Sequence, residues 1–189
     1  HYSSRRQRQM CIRDRCKECH LKKDAIMPIG PKSRNLNFSI QYQEKLANQI
    51  SYWMEKEIVE SHVPLDLIVN WSDKAAPLNA KARAYLDINC GHCHMPGGSA
   101  DTTGLNLNLT ETEDKKIGIY KKPVAAGRAS EGMRFSIVPG KPNESILLHR
   151  MDSLDPGVMM PESGRKLTHS EGVALINDWI ISVSYTHLT

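Results

Sequence analysis

A five-residue pattern of two cysteines and a histidine occurs twice in this chain of 189 residues. The first copy spans 16–20 (CKECH) and the second spans 90–94 (CGHCH). Two cysteines three positions apart can each form a thioether with one vinyl group of the same porphyrin, and the adjacent histidine can then bind the iron. The two copies therefore predict two covalently attached haem c groups.

Each copy supplies two attachment cysteines and one proximal iron ligand. The residues predicted to hold the haems are Cys16, Cys19, His20, Cys90, Cys93 and His94. These assignments use four of the five cysteines and leave Cys11 over. Because haem c is attached after export to an oxidising compartment, the pattern also predicts a periplasmic protein.

The chain is poor in large aromatic residues for its length. It has only two Phe and three Trp, so an ordinary aromatic core would be thin. A porphyrin is a large apolar group, and two of them would supply the missing buried area. The length leaves room for one domain or for two small domains, each built around a haem.

Both ends of the chain differ from the rest. Residues 1–15 and 184–189 lack the apolar periodicity of the neighbouring sequence. Both strings resemble translated sequencing-adapter read-through and are expected to be non-native; a disordered basic tail is the alternative for the first. The formal net charge of +4 lies in that first string, because 16–189 contain 20 basic and 20 acidic residues. No nucleic-acid partner is therefore predicted.

The sequence contains no run of 18 apolar residues and opens with no charged-then-apolar leader. No membrane span is therefore predicted. Since haem c attachment requires export, we expect that a signal peptide upstream of Cys16 was lost by truncation.

Apolar periodicity predicts a mainly α protein with three longer helices. One helix is predicted at about 41–60. A second, at about 79–88 with Asn79 as a candidate cap, leads directly into the second cysteine pair. The third follows the capping-box pattern of Thr168 and Glu171 near the end of the chain.

The proline-containing stretch before the second helix predicts a linker, so a boundary is placed after residue 77. Residues 16–77 form a smaller helical haem-binding segment, expected to be truncated. Residues 78–183 form a second helical domain around its own haem.

The second domain resembles a small class I cytochrome c. The shared order is a helix, the attachment pattern, a glycine-rich loop, a methionine before a proline and an amphipathic final helix. In that family the methionine is the distal iron ligand, and the first and last helices cross beside the haem. The resemblance implies that Met160, which precedes Pro161, is the sixth ligand, with Met159 as the alternative.

Three longer strings narrow the resemblance. They are ARAYLDINCGHCHMPGG at 82–98, AAGRASEGMRFSIVPGKPNESILLHRM at 125–151 and DPGVMMPESG at 155–164. They are similar to a bacterial family of dihaem c-type cytochromes, conserved periplasmic proteins that resemble modules attached to sugar-dehydrogenase-like propellers. The resemblance implies an electron carrier with a redox protein as donor and another as acceptor, one of them a fused or separate dehydrogenase.

The sixth ligand of the first haem is left open. Met27 lies only seven residues after His20, which is close for a chain that must pass round the haem edge. Met54 falls on the apolar face of a predicted helix, where a core role is favoured. His62 is the third candidate.

Three functions are compatible with the two patterns. The favoured one is a non-enzymatic electron carrier. A dihaem peroxidase-like enzyme would instead keep one iron open to peroxide. A structural zinc protein is a remote alternative, because zinc ribbons usually separate their cysteine pairs by about 15 to 20 residues, whereas 70 residues lie between Cys19 and Cys90.

Other polar residues have surface interpretations beside their functional ones. His92, between the two cysteines of its pattern, is expected to be exposed. Candidate partners for haem propionates are Arg128, Arg134 and Arg150. The lysine pairs that could dock an acidic redox partner are at 115–116 and 121–122.

Overall fold

The computed structural model describes residues 19–23, 25–26, 29, 32–43, 45–60, 67–125, 127–162 and 164–183. The predictions for Cys16, Met27 and His62 lie outside these residues. The two strings interpreted as non-native, at 1–15 and 184–189, also lie outside them.

Six α-helices, three short 3-10 helices and four short strands make up the assigned elements of the described residues. The helices are α1 (Ser33–Leu36), α2 (Gln49–Glu55), α3 (Leu78–Asn89), α4 (Asp114–Ile117), α5 (Ile146–Asp152) and α6 (Ser170–Ser182). The strands are β1 (Leu21–Lys22), β2 (Ala25–Ile26), β3 (Ser39–Gln41) and β4 (Leu46–Asn48), paired as two antiparallel hairpins. Helices predominate, which confirms the mainly α prediction.

The helix predicted at about 41–60 is much shorter than expected. The β3–β4 hairpin occupies its first part, and its turn is closed by the Tyr42 amide donating to the Lys45 carbonyl at 2.9 Å. The side chain of Asn48 accepts from the amides of Ile50 and Ser51, both at 3.1 Å, and so starts α2 at residue 49. An Asx cap of this kind competes with helix propagation through the same residue.

Helix α3 forms as predicted but begins one residue earlier. Its sequence, LNAKARAYLDIN, is rich in strong helix formers. Pro77 occupies the cap position, and no side chain caps the helix. Asn79, the predicted cap, instead accepts a hydrogen bond from the indole nitrogen of Trp179 at 2.9 Å. That bond joins the beginning of α3 to the final helix.

Helices α3 and α6 pack closely against each other. Gly172 on α6 lies against Tyr85 on α3, where a Cβ atom would overlap the phenol ring. The Tyr85 hydroxyl also contacts Nδ1 of His169 at 2.9 Å. The predicted capping box is wrong in detail, because no side chain caps α6 and Glu171 accepts from the Ser170 hydroxyl instead.

The main core lies in the part of the chain from α3 onwards. It combines α3, α5 and α6 with the loops between them. Its buried members are Ala82, Tyr85, Leu86, Leu107, Ile117, Ile119, Ile137, Leu148, Met151, Ile176, Trp179 and Ile180. None of the described helices has the length and apolar character needed to cross a membrane.

Candidate functional site

The second cysteine pair lies on a turn that continues directly from α3. The amides of Cys90 and Gly91 both donate to the Leu86 carbonyl at 2.9 Å. The Cys90 carbonyl then accepts from the amides of Cys93, at 3.2 Å, and His94, at 2.9 Å. Helix α3 therefore presents both thiols and the imidazole on one compact turn.

Close backbone contacts hold this turn against the end of α3 and against the loop that follows. A Cβ atom at Gly91 would lie 2.8 Å from the Asp87 carbonyl oxygen, and one at Gly98 would overlap the Cys93 carbonyl. The His94 carbonyl accepts from the Leu107 amide at 2.8 Å. Glycine is needed at both positions because the chain passes too close for a side chain.

The hydrogen bonds of Thr103 decide which nitrogen of His94 carries a proton. The Thr103 hydroxyl donates its only hydrogen to the Ala100 carbonyl at 2.7 Å. Nδ1 of His94 lies 3.2 Å from the same hydroxyl oxygen, which can therefore only accept from it. Nδ1 thus carries the hydrogen, and the lone pair of Nε2 is left for a metal.

The His94 imidazole is also neutral at physiological pH. Burial, together with the positive charges of Arg150 and His92, lowers its pKa to about 4. A neutral imidazole with a fixed tautomer is the form that binds iron. Thr103 and Arg150 were not assigned these roles from the sequence, since both effects depend on how the loops fold back.

The two thiols of this pair have different surroundings. Burial raises the pKa of Cys90 to about 12. Burial also raises the pKa of Cys93, but hydrogen bonds with His92, Ser99 and Cys19 outweigh it, so that the net pKa is lowered. Cys93 is therefore the thiol that ionises more readily.

His92 is not exposed as expected. It is partly buried, and its hydrogen bond to Cys93 is the main cause of its raised pKa. The turn folds the imidazole back onto the neighbouring thiol, so that its Nδ1 atom is buried without a hydrogen-bond partner.

The described part of the first pattern lies beside the second. Cys19 forms a side-chain hydrogen bond with Cys93. Nearby, the Lys23 amide donates to the Gly97 carbonyl at 3.1 Å. Cys19 and His20 are both partly buried. The structure therefore brings together two cysteines that are far apart in the sequence.

The backbone of Met160 contacts Arg150, the residue whose positive charge also acts on His94. The Met160 amide donates to the Arg150 carbonyl at 2.9 Å, and Nε of Arg150 donates to the Val158 carbonyl at 2.8 Å. Met160 is partly exposed, whereas Met159 is 7% exposed. Met54 lies partly buried on α2.

Of the three candidate arginines, Arg150 is the one whose charge acts on His94. Arg128 forms an exposed ion pair with Asp155 at 2.8 Å, and Arg134 lies over the ring of Phe135. Among the predicted docking lysines, Lys116 pairs with Glu113 at 2.7 Å. These partners are typical of a solvated surface.

Two cavities lie away from the attachment turn. One of about 570 Å³ is bordered by α3, α6 and the loop around Glu111, and one of about 340 Å³ lies between α5 and α6. Neither is lined by the cysteines or His94. Within the described ranges, no three His, Cys, Asp or Glu side chains are grouped so that they could hold a metal ion.

The donor set of the second pattern fits haem c. It provides two thiols on one turn and a neutral imidazole whose Nε2 is available to iron. No protein-family model, curated protein or solved structure matches the chain. The resemblance to dihaem cytochromes accordingly rests on the sequence strings alone.

Proposed function

We propose that this chain is a periplasmic dihaem c-type cytochrome that carries single electrons between redox proteins. The proposal rests mainly on the tautomer and the lowered pKa of His94, which lies on the same turn as Cys90 and Cys93. A protonated Nδ1 held by Thr103 and a lowered pKa are what an iron-binding imidazole requires. Haem c would supply a one-electron couple between ferric and ferrous iron.

In the second domain the proposed axial ligands are His94 and Met160. Support comes from the order of elements and from the close packing of α3 and α6 at Tyr85 and Gly172. The class I layout implies crossing first and last helices of this kind. A thioether ligand would raise the reduction potential and leave no open position on the iron.

In the first segment Cys16, Cys19 and His20 are the proposed attachment and ligand residues. Its sixth ligand stays open among Met27, Met54 and His62. The proposed partners are a redox protein that donates electrons, such as a dehydrogenase, and another that accepts them.

The test is expression of the full chain with a leader in a host that attaches haem c. The number of haems per chain is measured from the pyridine haemochrome spectrum of denatured protein. We expect two haems in the parent chain and one in each of the variants Cys16→Ala/Cys19→Ala and Cys90→Ala/Cys93→Ala. The control Cys11→Ala should keep both.

Other outcomes would replace the proposal. Zinc without iron would favour the structural zinc protein. Two haems with a rapid spectral response to peroxide at one of them would favour the peroxidase-like enzyme.

A further inference from the structure

Three aromatic rings from separate parts of the chain meet where α3 packs against α6. The rings of Tyr85 and His169 are stacked, with centroids 5.6 Å apart and an interplanar angle of 15°. The Trp71 ring meets both edge-on, at centroid distances of 5.7 Å from Tyr85 and 5.1 Å from His169. The Tyr85 hydroxyl lies 2.9 Å from Nδ1 of His169, so the phenol and the imidazole share a hydrogen bond.

The surroundings of His169 indicate which partner donates in this bond. Nε2 of His169 lies 3.7 Å from a carboxylate oxygen of Glu171. Hydrogen bonds from the Glu171 amide and the Ser170 hydroxyl, together with the charge of His169, lower the pKa of this carboxyl group, so it is ionised at neutral pH. Because a carboxylate only accepts, it favours the tautomer with the hydrogen on Nε2. Nδ1 is then the acceptor, and the Tyr85 hydroxyl donates to it.

The two partners differ in their access to water. Tyr85 is 6% exposed, and burial raises the pKa of its hydroxyl, so the phenol is protonated at neutral pH. The side chain of His169 is 47% exposed. Gly172 permits the contact, since a Cβ there would overlap the Tyr85 hydroxyl and lie 2.7 Å from Nδ1 of His169. A buried proton donor thus contacts a base that can exchange its own proton with water.

We propose that Tyr85 and His169 form a redox-active pair, in which a strong one-electron oxidant removes an electron from Tyr85 as the hydroxyl proton moves to Nδ1 of His169. The oxidant is a metal complex of high reduction potential, which gains the electron. The phenolic O–H bond breaks and an N–H bond forms, which leaves a neutral tyrosyl radical beside an imidazolium. The pair would thus store one oxidising equivalent inside the domain.

The contacts of His169 favour this coupled step. Loss of the electron alone would leave a cationic phenol in a buried site, where an uncompensated charge is unfavourable. Transfer of the proton instead places the positive charge on His169, beside the carboxylate of Glu171. The inference goes beyond the proposed electron-carrier function and does not depend on it, because the oxidant can be supplied from outside.

Tyr52 on α2 offers a matched control with the opposite electrostatics. The ammonium groups of Lys45 and Lys56 lie 5.5 Å and 5.6 Å from the centroid of its ring. Two positive charges beside the ring oppose the loss of an electron. We therefore expect Tyr52 to be harder to oxidise than Tyr85.

The test is freeze-quench electron paramagnetic resonance of the full chain after oxidation by a stoichiometric amount of photogenerated ruthenium(III) polypyridyl complex. Any attached haem is kept ferric, so that it does not reduce the ruthenium. Ring-deuterated tyrosine narrows the signal of a tyrosyl radical and so identifies it. We expect this signal in the parent, in Tyr52→Phe and in Trp71→Phe, and its loss in Tyr85→Phe. An undiminished tyrosyl signal in Tyr85→Phe would overturn the proposal.

A second variant isolates the proton acceptor. His169→Gln changes a half-exposed side chain, so the fold should persist, but an amide does not take up the proton. We expect ruthenium(III) to be reduced more slowly than by the parent, whose rate should itself fall in deuterated water. The matched control His149→Gln, which changes a histidine on α5 near Glu131, should keep the parent rate. Equal rates in the parent and His169→Gln would refute the pair.

Haem content, measured on the same samples, separates this inference from the proposed function. A chain with two haems and no radical at Tyr85 would overturn the redox-active pair and leave the cytochrome proposal intact. A chain with the radical and no haem would support the pair and overturn the cytochrome proposal.

Discussion

At the scale of single residues, neighbouring groups set the protonation of Cys93 and of His94. The proposed haem-binding residues were chosen from the sequence because their spacing is local. Thr103 could not be chosen in this way, because its hydroxyl reaches Nδ1 only after the turn Asp101–Thr103 has folded back. His92 was misplaced for the same reason, since its contact with Cys93 depends on the shape of the turn.

Replacing Thr103 by Val tests the role of this hydroxyl. The change keeps the shape but removes the acceptor for Nδ1 of His94, so the imidazole becomes a weaker donor to iron. Loss of the hydrogen-bond partner of a metal-binding histidine typically weakens metal binding by roughly 10–100-fold. We expect a raised midpoint potential for one haem, measured by potentiometric titration, whereas Thr103→Ser should behave like the parent. Equal potentials in the two variants would contradict the role.

Replacing Met160 and Met159 in parallel distinguishes the proposed ligand from its core neighbour. Met160→Ala should lower the potential of one haem and open its iron to added imidazole. Met159→Ala should leave the spectrum unchanged but lower the free energy of unfolding by about 2–5 kcal/mol, because it removes a buried side chain. Spectral titration with imidazole and urea unfolding measure the two effects. The assignment fails if Met159→Ala is the variant that binds imidazole.

At the scale of elements, helices with long periodic patterns were predictable and short elements were not. Helices α3 and α6 lie where apolar spacing places them. The β3–β4 hairpin was missed because Leu46 fits a helical pattern, although it is exposed in the structure. Asn48 caps α2 and so sets where this helix begins. A single polar side chain hardly changes the spacing of the apolar residues, so the apolar pattern did not predict this start.

Gly172→Ala tests the contact between α3 and α6. The added methyl group would overlap the ring of Tyr85, so overpacking should lower the free energy of unfolding by about 1–3 kcal/mol. Urea unfolding provides the measurement. The control Asp178→Ala changes an exposed residue of the same helix and should alter stability by less than about 0.5 kcal/mol. Similar values for both variants would show that the helices are less closely packed.

At the scale of the whole molecule, the ion pairs of Lys32 and Arg34 with Asp87 connect the small first segment to the larger apolar core. The sequence predicted two haem-binding parts but not how they meet, because Asp87, Lys32 and Arg34 look like ordinary surface residues in their local patterns. Their association depends on a fold that buries Asp87 completely. Long-range ion pairs of this kind cannot be inferred from spacing along one chain.

The ion pairs of Asp87 should make the free energy of unfolding depend on pH in the acid range. Burial raises the pKa of Asp87, but bonds from Arg34, Lys32 and the Leu109 amide outweigh it, so the folded-state pKa lies below 3.8. The stabilisation is therefore present above pH 3.8 and is lost as the pH falls through the folded-state pKa. Urea unfolding at a series of pH values should show a steeper acid loss in the parent than in Asp87→Asn. Parallel curves would contradict this contribution.

The central claim is that two cysteine pairs each hold one haem, and the intact mass of the denatured protein tests it most directly. The full chain, produced with a leader in a host that attaches haem c, is expected to retain the mass of two haems under denaturing conditions. A mass equal to that of the bare polypeptide would contradict the account.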